Sequence, residues 1–325
     1  MLKKAMSVFR GSLRFFRKHP KCIIPLLVVW CVYAGITLWI EYSLDFDQFT
    51  TGQSWAIVFG IYVLYSFLFG VSCLILLELI QQIERGEKPS IFRAFFDTLI
   101  RNFWKAFPIL LVWAVFWFLL AVLDALLSSK KDDEDDDGKP EFSAKAAVGT
   151  MLGTDRKFSL SRAFIDALKK GLRMFVFLIM PAIAWEDLGP VAAVKKGTKT
   201  LRNTKGHFLA AYGLTEVFFL VVFLPPCLIY TLDDKLSLAL PEPFWWFVLI
   251  YIACATSLTY LIEQLYVAQL YLWHLNWEND CARLKAQKKT PPKFSASKPP
   301  VFFEDFCPLE AIEDNAVQKK RKKKK

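Results

Sequence analysis

Three carboxylates stand inside otherwise apolar runs of this chain: Glu78, Glu216 and Glu263, with Gln81, Gln264 and Gln269 close by. An ionisable side chain is costly to hold in such a run, so it reads as part of an ion path, a proton relay or a ligand site. Glu186 opens an acidic turn between two further apolar runs. Glu78, Glu186, Glu216 and Glu263 together are the candidate lining of one polar cavity, suited to a cation, a proton relay or a cationic headgroup. The plainer alternative lets Glu78 and Glu263 reach out to the lipid surface, with Glu216 alone buried and bonded to a neighbouring helix.

Covalent chemistry has little support. His19, His207 and His274 each stand alone at the edge of an apolar run, outside any H-E-x-x-H array. There is no G-x-S-x-G elbow, phosphate loop or dinucleotide fingerprint. The seven cysteines are scattered without a C-x-x-C pair, which argues against a disulfide framework or a zinc site. The acidic run at 132–137 lacks the alternating ligand spacing of a calcium loop. The expectation is no catalytic residue, no metal and no cofactor, which points away from an enzyme.

These carboxylates need long apolar elements to hold them. The chain has 325 residues, 54% of them hydrophobic, and the apolar residues fall in blocks. A bilayer crossing takes about 20 such residues. The blocks predict an all-α integral membrane helical bundle with about six spans, at 22–40, 55–80, 107–127, 163–185, 207–230 and 244–265. The fourth crosses only if its helix starts near Ala163 and Lys169, Lys170 and Arg173 snorkel. Basic amphipathic helices over 2–18 and 91–105 precede the first and third spans. Residues 128–158 contain KKDDEDDDGKPE, which predicts a disordered acidic loop. Residues 278–325 read as a soluble tail, Pro-rich over 288–300 and polybasic at KKRKKKK.

Between the fourth and fifth spans lies a hinge carried by Pro181, Glu186, Gly189 and Pro190. Proline suits the first helical position, and Asp187 just before it suits the positive end of the helix dipole. Val191, Val194, Thr198 and Leu201 then recur at helical spacing, with Lys195, Lys196, Lys199 and Arg202 on the remaining surface. Gly206 is a stop signal. Such a helix is expected to lie on anionic lipid, each cation contributing about 1 kcal/mol. The net charge of +10 clusters beside the apolar blocks, which favours a bilayer with anionic lipids over nucleic acid as partner. The tail adds a lipid clamp, or a protein or ribosome contact.

Lysine and arginine in short loops set orientation. Seven basic residues precede the first span, and the loop at 41–54 has none. Both termini are therefore expected in the cytoplasm, at a bacterial inner membrane or, in a eukaryote, the endoplasmic reticulum. Residues 128–170 disagree, with nine basic residues on the side expected to face outward.

The hinge residues Pro181, Glu186-x-x-Gly189-Pro190-x-x-Ala193-x-Lys195 resemble the signature of a family of mostly prokaryotic polytopic membrane proteins of unknown function. The resemblance extends over 1–275. It implies an inner-membrane helical bundle and no activity. The acidic loop and basic tail depart from the pattern, as does Gly197, where a serine is more usual. The reading is a non-enzymatic membrane component, permease-like or a lipid-surface organiser. The alternatives are a scaffold or assembly factor recruiting a partner through its tail, and an intramembrane enzyme.

Overall fold

The computed structural model describes residues 2–43, 48–129, 160–236, 240–290 and 292–299. Most of the acidic loop and the KKRKKKK tail lie outside the described residues. Within them the chain is all α and forms one bundle. Its helices are α1 (Leu2–Lys18), α2 (Ile24–Ser43), α3 (Thr51–Glu84), α4 (Ile91–Asp97), α5 (Phe103–Ser129), α6 (Leu160–Ala184), α7 (Pro190–Leu236) and α8 (Glu242–Ala286). From α2 onward the long helices alternate in direction. One end of the bundle therefore collects α1 and the 185–189 turn, and is called here the hinge end. The other collects the C-terminal ends of α2 and α7.

Five stretches are long and apolar enough to cross a membrane: Pro20–Ile40, Thr51–Glu84, Ile91–Asp124, Pro190–Asp233 and Pro243–Ala286. The expected fourth span forms its helix, α6, but is not among these five. Its apolar half is core: Met174, Phe177, Leu178, Ile179, Met180 and Ile183 are all buried, packed among neighbouring helices. The lipid-facing belt lies elsewhere, on residues such as Val112, Phe116 and Leu119 of α5 and Leu220, Val221 and Leu224 of α7.

Two glycines set the closest helix approaches. At Gly70 of α3 a Cβ would fall 2.2 Å from Leu110 Cδ2 of α5. At Gly197 of α7 it would fall 2.6 Å from Ile179 Cγ1 of α6. With no side chain at either position, the backbones close to core packing distance.

The expected stop at Gly206 does not occur. The basic helix and the fifth span are one helix, and α7 runs on through Pro225 and Pro226 to Leu236. Its 47 residues extend about 70 Å at the helical rise. An in-chain proline is tolerated where neighbouring groups satisfy the freed backbone. The first helix, α1, packs on the bundle. Its face of Ala5, Val8, Phe9, Ser12 and Phe15 is buried against the bundle, and Ser12 pairs with Gln269 across 2.8 Å.

The tail also returns to the bundle. The helix α8 continues to Ala286, and 292–299 folds back as a strap. Phe294 of the strap packs against Trp273 and Trp277, with ring centroids 4.9 and 5.7 Å away. Trp273 Nε1 donates to Ser297 Oγ (2.8 Å), Trp277 Nε1 to the Pro292 carbonyl (2.9 Å), and Lys4 Nζ to the Ser297 carbonyl (2.9 Å). Burying a phenyl ring contributes about 2 kcal/mol. Phe294→Ala is therefore expected to release the strap while the bundle stays folded. Limited trypsinolysis checks this: cleavage after Lys293 should become faster with no change in the bundle's melting temperature. Unchanged cleavage would show that the ring does not hold the strap.

Candidate functional site

At mid-depth the bundle holds a half-open cavity of about 530 Å³. Its floor is made by three cations of α6: Lys169, Lys170 and Arg173. Helical geometry turns Lys169 and Lys170 about 100° apart, with Arg173 one turn on and between them in direction. The three therefore meet partners on three different helices. The Arg173 guanidinium grips Glu263 of α8 as a fork, Nε to Oε1 at 2.9 Å and Nη2 to Oε2 at 2.8 Å. It also lies 4.2 Å over the Tyr260 ring. Lys170 Nζ donates to Glu216 Oε1 of α7 (2.7 Å) and to the Tyr212 carbonyl (3.3 Å), and sits 4.5 Å over the Tyr212 ring. Lys169 Nζ donates to Asp124 Oδ2 of α5 (3.2 Å) and comes within 4.0 Å of Asp166 one turn back.

This arrangement corrects the snorkelling expectation. The three cations turn inward, because a membrane-depth charge is held most cheaply by an opposite charge inside the bundle. The bidentate Arg173–Glu263 geometry is the strongest form of such a pair. The cavity's walls are aromatic, with Trp30 and Tyr33 from α2, Tyr62 and Tyr65 from α3, and Trp117 from α5. Trp30 stacks on Tyr260 with ring centroids 6.0 Å apart, and Tyr33 lies tilted by 31° against Tyr65 at 4.3 Å.

Of the four expected glutamates, the structure brings Glu216 and Glu263 into this cavity. Their burial is the reverse of the plainer alternative. The Glu263 side chain is 1% exposed and does not reach out, whereas Glu216 is 41% exposed. Glu78 lies apart, at the hinge end of α3, and accepts from Asn102 Nδ2 at 2.7 Å. Asn102 closes a π-helical turn, Thr98–Asn102, between α4 and α5. A local widening of this kind redirects side chains. Among the glutamines, Gln269 is held by Ser12 at 2.8 Å, and Gln82 Oε1 accepts from Ser90 N at 2.7 Å.

Glu186 belongs to a second polar cluster, at the hinge. The 185–189 turn is tight, with Asp187 at φ 56°. Trp185 Nε1 anchors it to the Leu77 carbonyl (3.1 Å), and Lys105 pairs with Asp187. Glu186 accepts from the Tyr271 hydroxyl and lies 3.5 Å from Lys196 Nζ. Lys196 and Lys199 both donate to Glu278 of α8. His274, fully buried, stands beside them. The Thr200 hydroxyl proton goes to the Lys196 carbonyl (3.0 Å), so Thr200 Oγ1 accepts from His274 Nδ1–H at 3.1 Å. His274 Nε2 then accepts from Asn203 Nδ2 at 3.0 Å. Of the four expected lipid-surface cations, Lys195, Lys199 and Arg202 are exposed and Lys196 is not, and Glu278 engages both Lys196 and Lys199.

Sequence reasoning passed over Asp124, Asp166 and the α6 cations as site residues. The signal was present: an acid inside the third apolar block, and three cations within five residues at the edge of the fourth. Among the described residues, no group of three or more His, Cys, Asp and Glu is placed to hold a metal ion.

Fold and site together define an all-α membrane bundle with a charged, aromatic-walled cavity. Residues 143–275 of the chain match a family of unknown function (DUF6159). The matched stretch takes in α6, the hinge, α7 and most of α8, and so covers Lys169, Lys170, Arg173, Glu216 and Glu263. It is narrower than the 1–275 over which the sequence resemblance runs. No curated protein and no solved structure matches the chain.

Proposed function

We propose that this protein is a membrane carrier for a small solute, with the mid-depth cavity as its binding site. The observation that supports this reading is the cavity itself: about 530 Å³ of space with charged groups of both signs inside a membrane bundle. Binding sites for small molecules fall in the range of roughly 300–1,000 Å³ and combine apolar walls with a few fixed polar groups. A scaffold has no use for such a space, and its polar lining is costly to maintain. We place the hinge end in the cytoplasm. Arg85, Lys88, Arg93, Arg101 and Lys105 lie at that end, together with α1 and the strap. In this reading Lys195 and Arg202 face anionic lipid there, beside the exposed aromatics Phe92, Phe96 and Trp104. The polybasic tail would add to the same attraction.

The test needs no knowledge of the solute. Thr259 lines the cavity. Thr259→Cys, in a chain whose seven native cysteines are replaced, is reconstituted in oriented vesicles. A membrane-impermeant thiol reagent is then applied to one face or the other. A carrier exposes its site to each side in turn, so labelling is expected from both faces. Labelling from one face only, or from neither, in a variant that still elutes as a folded species, rules the carrier reading out.

A further inference from the structure

We infer that the cavity binds an organic monocation, an alkylated or quaternary ammonium with an apolar body. The inference deepens the carrier reading and rests on it for the route of entry, although binding itself does not require transport. Charge is the first support. Among its described lining residues the cavity holds four carboxylates, Asp124, Asp166, Glu216 and Glu263, against three cations, Lys169, Lys170 and Arg173. One negative charge is in surplus.

Every cation is already committed. Both donor arms of the Arg173 fork go to Glu263, Lys170 holds Glu216 and a backbone carbonyl, and Lys169 holds Asp124. An incoming anion would have to displace a carboxylate from its partner in a low-dielectric site, and each such partner left behind would be a stranded buried charge. The surplus sits at Asp166. Among the described residues its ion pair is the 4.0 Å contact to Lys169, and its side chain is 59% exposed at the cavity's edge.

The walls are the second support, independent of charge counting. Arg173 and Lys170 already cover the rings of Tyr260 and Tyr212. Among the described residues, no cation is seated over Trp30, Tyr62 or Trp117, which also line the space. Aromatic faces carry partial negative charge and bind quaternary ammonium groups, each well-placed ring strengthening the contact. A neutral polar solute would use neither the surplus charge nor these faces. A cation with an apolar body uses both, and needs no displacement of the existing pairs.

The probe is benzyltrimethylammonium, set against benzenesulfonate as an anion of like size and benzyl alcohol as a neutral control. Binding to the detergent-purified full chain is read by tryptophan fluorescence and by calorimetry. The cation is expected to bind and the two controls are not. Asp166→Asn and Trp117→Leu should each weaken the cation by about tenfold, with gel-filtration profiles and melting temperatures close to those of the parent. Asp166→Glu should restore binding. Preferential binding of benzenesulfonate, or cation binding that neither variant changes, overturns the inference. The Thr259→Cys labelling separates the two proposals. Two-sided labelling without cation binding defeats the ligand class and leaves the carrier standing. Variant-sensitive cation binding with one-sided labelling does the reverse.

Discussion

Arg173→Met is expected to destabilise the protein by about 3–5 kcal/mol, the cost of leaving a buried carboxylate without its counter-charge. Glu263 is 1% exposed, and Arg173 supplies both of its side-chain donors. The companion expectation concerns the pair. Arg173→Met combined with Glu263→Leu removes both charges, fills similar volume and should regain most of the lost stability, because the desolvation cost of both ions disappears. The measurement is thermal unfolding of purified protein followed by the monodisperse fraction on gel filtration. If the single variant melts with the parent, the fork does not hold α6 to α8. If the double variant is no better than the single, packing rather than charge decides the site. The folded double variant also gives a bundle with two cavity charges removed, in which binding can be measured apart from folding.

Gly197→Val should have the second-largest effect. The Cβ alone would lie 2.6 Å from Ile179 Cγ1 and 3.3 Å from Ile179 Cα. The second of these is backbone, so a rotamer change cannot relieve it and α6 and α7 must separate. Overpacking of this kind costs about 1–3 kcal/mol, and a β-branched residue adds crowding within the helix. The control lies on the same helix: a Cβ at Gly213 meets nothing within 4 Å. Gly213→Val should therefore change stability far less than Gly197→Val. Equal losses at both positions would mean that helix propensity is responsible, not the crossing.

What could be read from the chain follows from what one dimension contains. Long apolar blocks with basic flanks imply bilayer-crossing helices whatever their neighbours are, and α2, α3, α5, α7 and α8 follow from that alone. Glu216 and Glu263 stand out because a carboxylate in such a block demands an explanation. Lys169, Lys170 and Arg173 do not stand out in the same way. Beside an apolar block a cation can either snorkel or pair, and the choice depends on Asp124, Glu216 and Glu263 arriving from elsewhere in the chain. The core position of α6 is hidden for the same reason: 174–184 would look alike facing lipid or facing protein. Gly206 reads as a stop, yet α7 continues through it and on through Pro225. Their local preferences are weak beside the packing of a long helix against α6 and α8. The aromatic wall is assembled from α2, α3, α5 and α8 at matching heights, a coincidence of level that no local spacing reveals.

The unbroken course of α7 has a mechanical consequence. Between Val191 and Leu224 it contains no proline, so this stretch behaves as a stiff lever. Lys196, which meets Glu186 and Glu278, and Glu216, which meets Lys170, are mounted on it about 30 Å apart at the helical rise. A swing of the shaft that loosens one of these grips must also shift the other. Occupancy of the central chamber and the state of the distant turn are therefore geared together by a single piece of backbone.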